Sequence, residues 1–109
     1  MTTQIVKGDD VSLPVALTKD GATFAIDAGA TVRAAIVDMG HQALLMAAVT
    51  LDSAAVGADW STSLVVVEMT AAQTAAITEV GNAFIEIEVD DGGKTTFFTY
   101  IQVVEGLIA

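Results

Sequence analysis

Apolar and polar residues alternate along most of this chain, with a period of two. Val11, Leu13, Val15 and Leu17 interleave with Ser12, Pro14, Ala16 and Thr18. Such alternation sends successive side chains to opposite faces of a half-buried strand. Pro14 falls on the outward set and has no N–H to give to a ladder, so this strand is predicted at a sheet edge or beside a bulge. Lys19-Asp20-Gly21 is a turn signal, and Phe24 and Ile26 form a short arm that ends at Asp27-Ala28-Gly29. Residues 31–38 predict the next strand, with Val32, Ala34 and Ile36 on one face and Arg33, Ala35 and Val37 on the other. Asp38-Met39-Gly40-His41 closes a hairpin. Residues 43–51 return as a strand, although their alanine, leucine and methionine would also suit a helix. Residues 53–59 are small and polar enough for a loop, and Trp60 opens a strand region that ends near Met69.

The same period governs the second half. An apolar strand over residues 64–68 leads into an alanine-rich segment, residues 70–77, which predicts a helix of at most two turns. Thr70 is placed to cap it, and Gln73 stands three residues later in the capping-box position. Residues 82–90 then send Ala83, Ile85, Ile87 and Val89 inward and Phe84, Glu86 and Glu88 outward. Asp90-Asp91-Gly92-Gly93 supplies the glycines of a tight hairpin, and residues 95–104 complete it. Roughly seven or eight short strands, about 8–12 residues apart, predict an all-β antiparallel sandwich with one short helix.

Composition narrows the class. A chain of 109 residues is one domain of ordinary size, residues 1–109. With 53% hydrophobic and 17% charged residues it has the material for a core and is no disordered tail. Four basic residues face fourteen acidic ones, a net charge of -10. That surface repels phosphate backbones and anionic lipid heads, so neither a nucleic-acid nor a membrane partner is expected. The chain has no cysteine, which excludes disulfides, thiolate metal sites and cysteine nucleophiles. Met1-Thr2-Thr3-Gln4-Ile5 lacks the basic and apolar regions of a secretory signal, so synthesis and folding in a cytoplasm are expected.

Little in the sequence points to catalysis. His41, the sole histidine, lies in a predicted turn and reads as solvated, with no nucleophile suggested nearby. No nucleophile elbow, phosphate-binding loop or zinc-ligand pair occurs, so no catalytic residue, cofactor or metal is predicted. Glu86 and Glu88 share a strand face about 7 Å apart. They suit a glycosidase pair or, as favoured here, the outward residues of a wet sheet. Asp9-Asp10 and Asp90-Asp91 offer oxygen ligands for calcium but lack EF-hand spacing, and read as solvated loop acids.

Apolar groups are the better clue. Trp60 is either an exposed contact anchor or a core residue. On the last strand Phe97, Thr99, Ile101 and Val103 oppose Phe98, Tyr100, Gln102 and Val104, so both faces carry large apolar groups. One face must be the core, and the other is covered by a loop or offered to a partner. The candidate partner-binding residues are therefore Trp60, Phe84, Phe98 and Tyr100. The N-terminal arm, residues 2–7, is a candidate to add a strand to a neighbour's sheet edge.

Several segments resemble a known family. Gly8-Asp9-Asp10 followed by Val11-Ser12-Leu13-Pro14-Val15-Ala16-Leu17 looks like the opening of small phage virion domains. Ala30-Thr31-Val32-Arg33-Ala34-Ala35-Ile36 is similar to their next strand. Met69-Thr70-Ala71-Ala72-Gln73-Thr74-Ala75-Ala76-Ile77, a following glycine, residues 84–89 and Asp91-Gly92 resemble their second half. Such domains stand at the N-terminus of phage baseplate upper proteins and of related tail and head-fibre proteins. The resemblance implies an immunoglobulin-like β-sandwich that attaches or decorates and has no catalytic site, so no functional residue carries over. Val80-Gly81-Asn82-Ala83 departs from the family's pattern, which has a proline and a tyrosine there.

Family members often continue into a C-terminal helix or fibre, whereas this sequence stops at Ala109. The expectation is therefore a structural virion protein of a tailed phage, decorating the capsid exterior. Its partners would be capsid or tail proteins and further copies of itself, and its location the virion after synthesis in the host cytoplasm. The alternatives are a tail, baseplate or neck adaptor, a carbohydrate-binding module using Trp60 and Tyr100, and a small glycan hydrolase using Glu86 and Glu88.

Overall fold

Strand-forming alternation dominates the structure, a computed structural model that describes residues 3–106. In chain order the elements are β1 (Thr3–Lys7), β2 (Val11–Ala16), β3 (Thr18–Lys19), β4 (Ala22–Thr23), β5 (Thr31–Val37), β6 (Leu44–Thr50), β7 (Leu64–Met69), α1 (Ala71–Ala75), β8 (Gly81–Asp90) and β9 (Lys94–Glu105). The chain is all-β. A five-stranded sheet runs β1-β9-β8-β5-β6, β2 pairs with β7, and β3 with β4 forms a small hairpin.

The two larger sheets share one core. Val32, Ala34 and Ile36 of β5, Ala83, Ile85, Ile87 and Val89 of β8, and Ile101 and Val103 of β9 are all buried in it. Val65, Val67 and Met69 of β7 enter the same cluster, and Val11, Leu13 and Val15 of β2 pack against it partly buried. Each Val or Ile side chain so buried contributes about 1.5–3 kcal/mol from apolar area removed from water. The inward set predicted for β8 is the one found, and of the two faces read on β5 and β9 those with Val32, Ala34, Ile36, Ile101 and Val103 enter the core, although Ala35 and Val37 on the other face of β5 are buried as well. Pro14 is exposed on β2, which pairs with β7 alone, as an edge strand with a missing N–H requires.

Three features depart from the sequence reading. The first concerns the N-terminal arm, whose residue 2 lies outside the described residues. Its remainder, β1, pairs with β9 of its own chain, from Thr3 opposite Ile101 to Lys7 opposite Glu105. The pairing is parallel, so the sandwich is not wholly antiparallel, and the arm is not a free strand for a neighbour. Ile5 explains this: only 1% exposed, it belongs to the shared core, and apolar burial holds the strand in place.

The second is the length of the helix. Its capping box is complete: Gln73 N–H donates to Thr70 Oγ1 at 3.2 Å, and Thr70 N–H donates to Gln73 Oε1 at 2.8 Å. Asp10 accepts a further first-turn N–H, that of Ala71, at 2.7 Å. The helix nevertheless stops at Ala75 rather than Ile77. Ile77 is drawn into the core at 1% exposure, and Thr78 N–H donates to Leu45 C=O at 3.1 Å, which takes the chain off the helical path.

The third is Trp60. It begins a 3-10 turn, Trp60–Thr62, not a strand. Asp59 caps the turn by accepting Ser61 N–H at 3.2 Å, and Ser63 closes it in the left-handed conformation at φ 62°.

Candidate functional site

The outward face of the five-stranded sheet holds the most unusual surface. Directly opposed residues on paired strands point to the same side. Leu44 on β6 is opposite Val37 on β5, Val37 is opposite Phe84 on β8, and Phe84 is opposite Tyr100 on β9. These pairings make one apolar row across four strands, about 14 Å long from three interstrand spacings. In the next row Ala35 faces Glu86, and Glu86 faces Phe98. Beyond it Arg33 faces Glu88, and Glu88 faces Thr96. The face therefore grades from apolar to charged over three rows.

The β5–β6 turn arches over this face. Asp38 organises the turn: its carboxylate accepts Gln42 N–H at 2.8 Å and Ala43 N–H at 3.1 Å. Those two backbone donors, Gln42 first, hold the Asp38 carboxyl below the usual carboxylate range. His41 N–H donates to Asp38 C=O at 3.0 Å, and His41 sits in the left-handed region at φ 56°. Held this way, the His41 ring stacks on Phe98, with centroids 4.1 Å apart and planes 2° apart. It also meets Phe84 edge-on at 4.9 Å. Phe84 in turn is edge-on to Phe98 at 6.0 Å and to Tyr100 at 5.8 Å.

The result is a four-ring cluster that stays open to solvent. Tyr100 is 41% exposed, Phe98 43% and Leu44 59%. Interleaved rings of this geometry stabilise one another by about 0.5–1.5 kcal/mol per pair beyond area burial. The rings thus brace one another across β8, β9 and the β5–β6 turn.

Of the four predicted contact residues, the structure brings together Phe84, Phe98 and Tyr100. It sets Trp60 apart, 8% exposed within the core cluster. Trp60 is therefore a packing residue and not an exposed anchor. Its indole Nε1–H is buried and has no hydrogen-bond partner among the described residues. His41, read as a solvated turn residue, belongs to the site, and so do Val37 and Leu44. Alternation set Val37 on the face opposite Val32, Ala34 and Ile36, but gave no sign of His41 or Leu44. Locating them takes the β5–β6 register, which follows from the turn held by Asp38.

The other candidates take structural roles. Glu88 is paired with Arg33 at 2.7 Å, and the Arg33 pKa is raised by that hydrogen bond and by the charge behind it. Glu86 lies between Ala35 and Phe98 in the register, half-buried. Asp10 caps α1, and Asp9 gives its carbonyl to the Thr74 hydroxyl at 2.7 Å. Asp90 accepts Gly92 N–H at 3.2 Å, which shapes the β8–β9 turn. Among the described residues no group of three or more histidines and acids stands where a metal ion could be held. No helix among them is long and apolar enough to cross a membrane.

No protein-family model, no curated protein and no solved structure matches this chain.

Proposed function

We propose that this chain is a non-catalytic docking domain, a structural component of a tailed-phage virion that decorates the capsid exterior. The observation that carries the docking role is the cluster of His41, Phe84, Phe98 and Tyr100 on the outward sheet face. A solvent-facing apolar patch on an otherwise acidic domain marks an interaction site more often than a packing accident. Two open rings, Phe98 and Tyr100, supply the kind of anchor that dominates protein interfaces. The virion assignment rests on the sequence resemblance, in which such sandwiches attach and decorate.

The enzyme reading has less support. Glu88 is engaged by Arg33 at 2.7 Å, and the pocket that Glu86 and Glu88 line with Arg33, Ala35 and Ala48 holds about 30 Å³, room for a water molecule and not for a sugar ring. The carbohydrate-module reading loses one of its two platform rings to the core, since Trp60 is buried.

Electron microscopy of purified particles tests the proposal. Particles carrying the wild-type chain are expected to show it on the head, in symmetric copies. A chain with Phe98→Ser and Tyr100→Ser together is expected to lose at least tenfold in occupancy while melting as a folded domain. Density on the tail axis would replace decoration by an adaptor role. Absence from particles, or full occupancy by the double variant, would overturn the docking role.

A further inference from the structure

Resting on that docking role, we infer that the partner is a protein face rich in arginine and lysine, whose cationic side chains lie on the ring cluster and reach Glu86. The inference names what covers the apolar row, and it comes from the charges that surround the rings.

The chain carries four lysines and arginines, and among the described residues Arg33 alone stands on the rows of this face. Arg33 is the cation on it, and Glu88 holds Arg33 at 2.7 Å. Lys19 lies over the Phe24 ring, 6.0 Å from its centroid, on the small hairpin. Lys94 stands opposite Asp90 at the β8–β9 turn, and Lys7 opposite Glu105 at the end of β1. The carboxylates near the rings are differently placed. Glu86 is directly opposite Phe98 and, among the described residues, makes no ion pair. Asp38, three residues before the stacked His41 in the same turn, is held ionised by its two N–H donors.

A partner must therefore satisfy two demands together. It must cover exposed ring surface, and it must do so beside an uncompensated carboxylate in the field of a chain of net charge -10. An aliphatic face would cover the rings but leave Glu86 desolvated and unpaired, which is costly. A second copy of this chain would bring like charge to like charge. An arginine-bearing face meets both demands, because a guanidinium stacks on an aromatic ring and forks to a carboxylate at the same time. Cationic protein faces are also steered to an acidic domain in solution, so association should be fast at low salt.

The test uses two synthetic peptides of alternating tryptophan with arginine, or tryptophan with glutamate, titrated into the full chain and followed by amide chemical shifts. The arginine peptide is expected to shift residues of the ring cluster and Glu86. Its affinity should fall at least fivefold between 50 and 300 mM salt, as screening shortens the reach of the charges. The glutamate peptide is expected to give no shifts there. Glu86→Gln should weaken the arginine peptide at least threefold with an unchanged melting temperature, and Tyr100→Ser should do the same. Shifts spread evenly over the acidic loops, or equal response to both peptides, would overturn the inference. So would unchanged affinity in Glu86→Gln. Particle occupancy separates the two proposals. A chain that stays on particles at high salt sinks the cationic partner and leaves docking standing, whereas a chain absent from particles at every salt sinks docking itself.

Discussion

At the scale of single residues, two buried groups show how polar pairing and packing divide the work. Thr74 is fully buried, yet every hydroxyl bond it makes is to the backbone. Its Oγ1 accepts Gly8 N–H at 3.0 Å and donates to Asp9 C=O at 2.7 Å, which ties the β1–β2 connection to α1. Thr74→Val keeps the shape and removes the oxygen, which leaves Gly8 N–H without its partner. It should cost about 1–3 kcal/mol, the penalty for an unsatisfied buried group. Thr74→Ser keeps the oxygen and should cost clearly less. Urea denaturation of the three chains measures the ordering, and equal losses from both substitutions would show that the methyl group matters more than the bonds. Trp60 is the opposite case, packed but with no partner for its Nε1–H among the described residues. Trp60→Phe deletes that donor and should change stability by no more than about 1 kcal/mol, because the relief offsets the lost contacts. Trp60→Ala leaves a cavity and should cost about 3–5 kcal/mol. As the only tryptophan, Trp60 also reports its own burial, and its fluorescence should be blue-shifted and shielded from acrylamide.

At the scale of elements, the β5–β6 turn links a carboxylate to the docking face. Asp38 is held ionised by the N–H groups of Gln42 and Ala43, so its pKa in the folded chain lies below its unfolded value. A lowered carboxylate pKa contributes stability that is fully present above the unfolded pKa and is lost as pH falls through the folded one. On acidification the turn should loosen before the sheets do. Amide exchange at Gln42 and Ala43 should quicken, and the His41 ring should leave Phe98. Asp38→Asn should reproduce the loosening at neutral pH. Ring-current shifts of His41 follow it directly, and shifts that stay constant down to the unfolding of the sheets would separate the stack from the turn.

How far these elements were legible follows from the range of the forces that set them. The alternation in β8 and β9 is local: it placed Ile85 inward and Phe84 outward, and it set Phe98 and Tyr100 together on one face of the last strand. The capping box is also local, and Thr70 and Gln73 form it where their spacing predicted. The end of α1 is not local, because it depends on Ile77 finding the core and Thr78 finding Leu45. Trp60 was equally opaque, since a 3-10 turn of three residues has no period to read. The docking face lies between these cases. Three of its rings and the face of Val37 come from alternation, while His41 and Leu44 join only through the β5–β6 turn and its register, which no single segment encodes.

At the scale of the whole molecule, the decisive contact is between the two ends of the chain. β1 closes the five-stranded sheet by pairing with β9, and the Gln4 side chain meets Gln102 across a separation of 98 residues. Closing so long a loop is entropically unfavourable until the rest of the sheet exists to receive the strand. The β8–β9 hairpin, by contrast, pairs across a turn of three residues. β1 should therefore dock after the transition state for folding. Ile5 carries most of that docking, since it is 1% exposed in the shared core. Ile5→Ala should cost about 2–5 kcal/mol, a large share of the roughly 5–15 kcal/mol typical of a domain. A contact absent from the transition state changes the unfolding rate and spares the folding rate. The denaturant dependence of both rates should thus show the Ile5→Ala loss almost wholly on the unfolding arm. Ile85→Val, in the hairpin, should also slow folding. The Ile5→Ala chain should scatter light on warming as well, because a frayed β1 bares the edge of β9 for pairing with other molecules. A slowed folding arm in Ile5→Ala would instead place the meeting of the two chain ends early, and would make β1 part of the nucleus around which both sheets assemble.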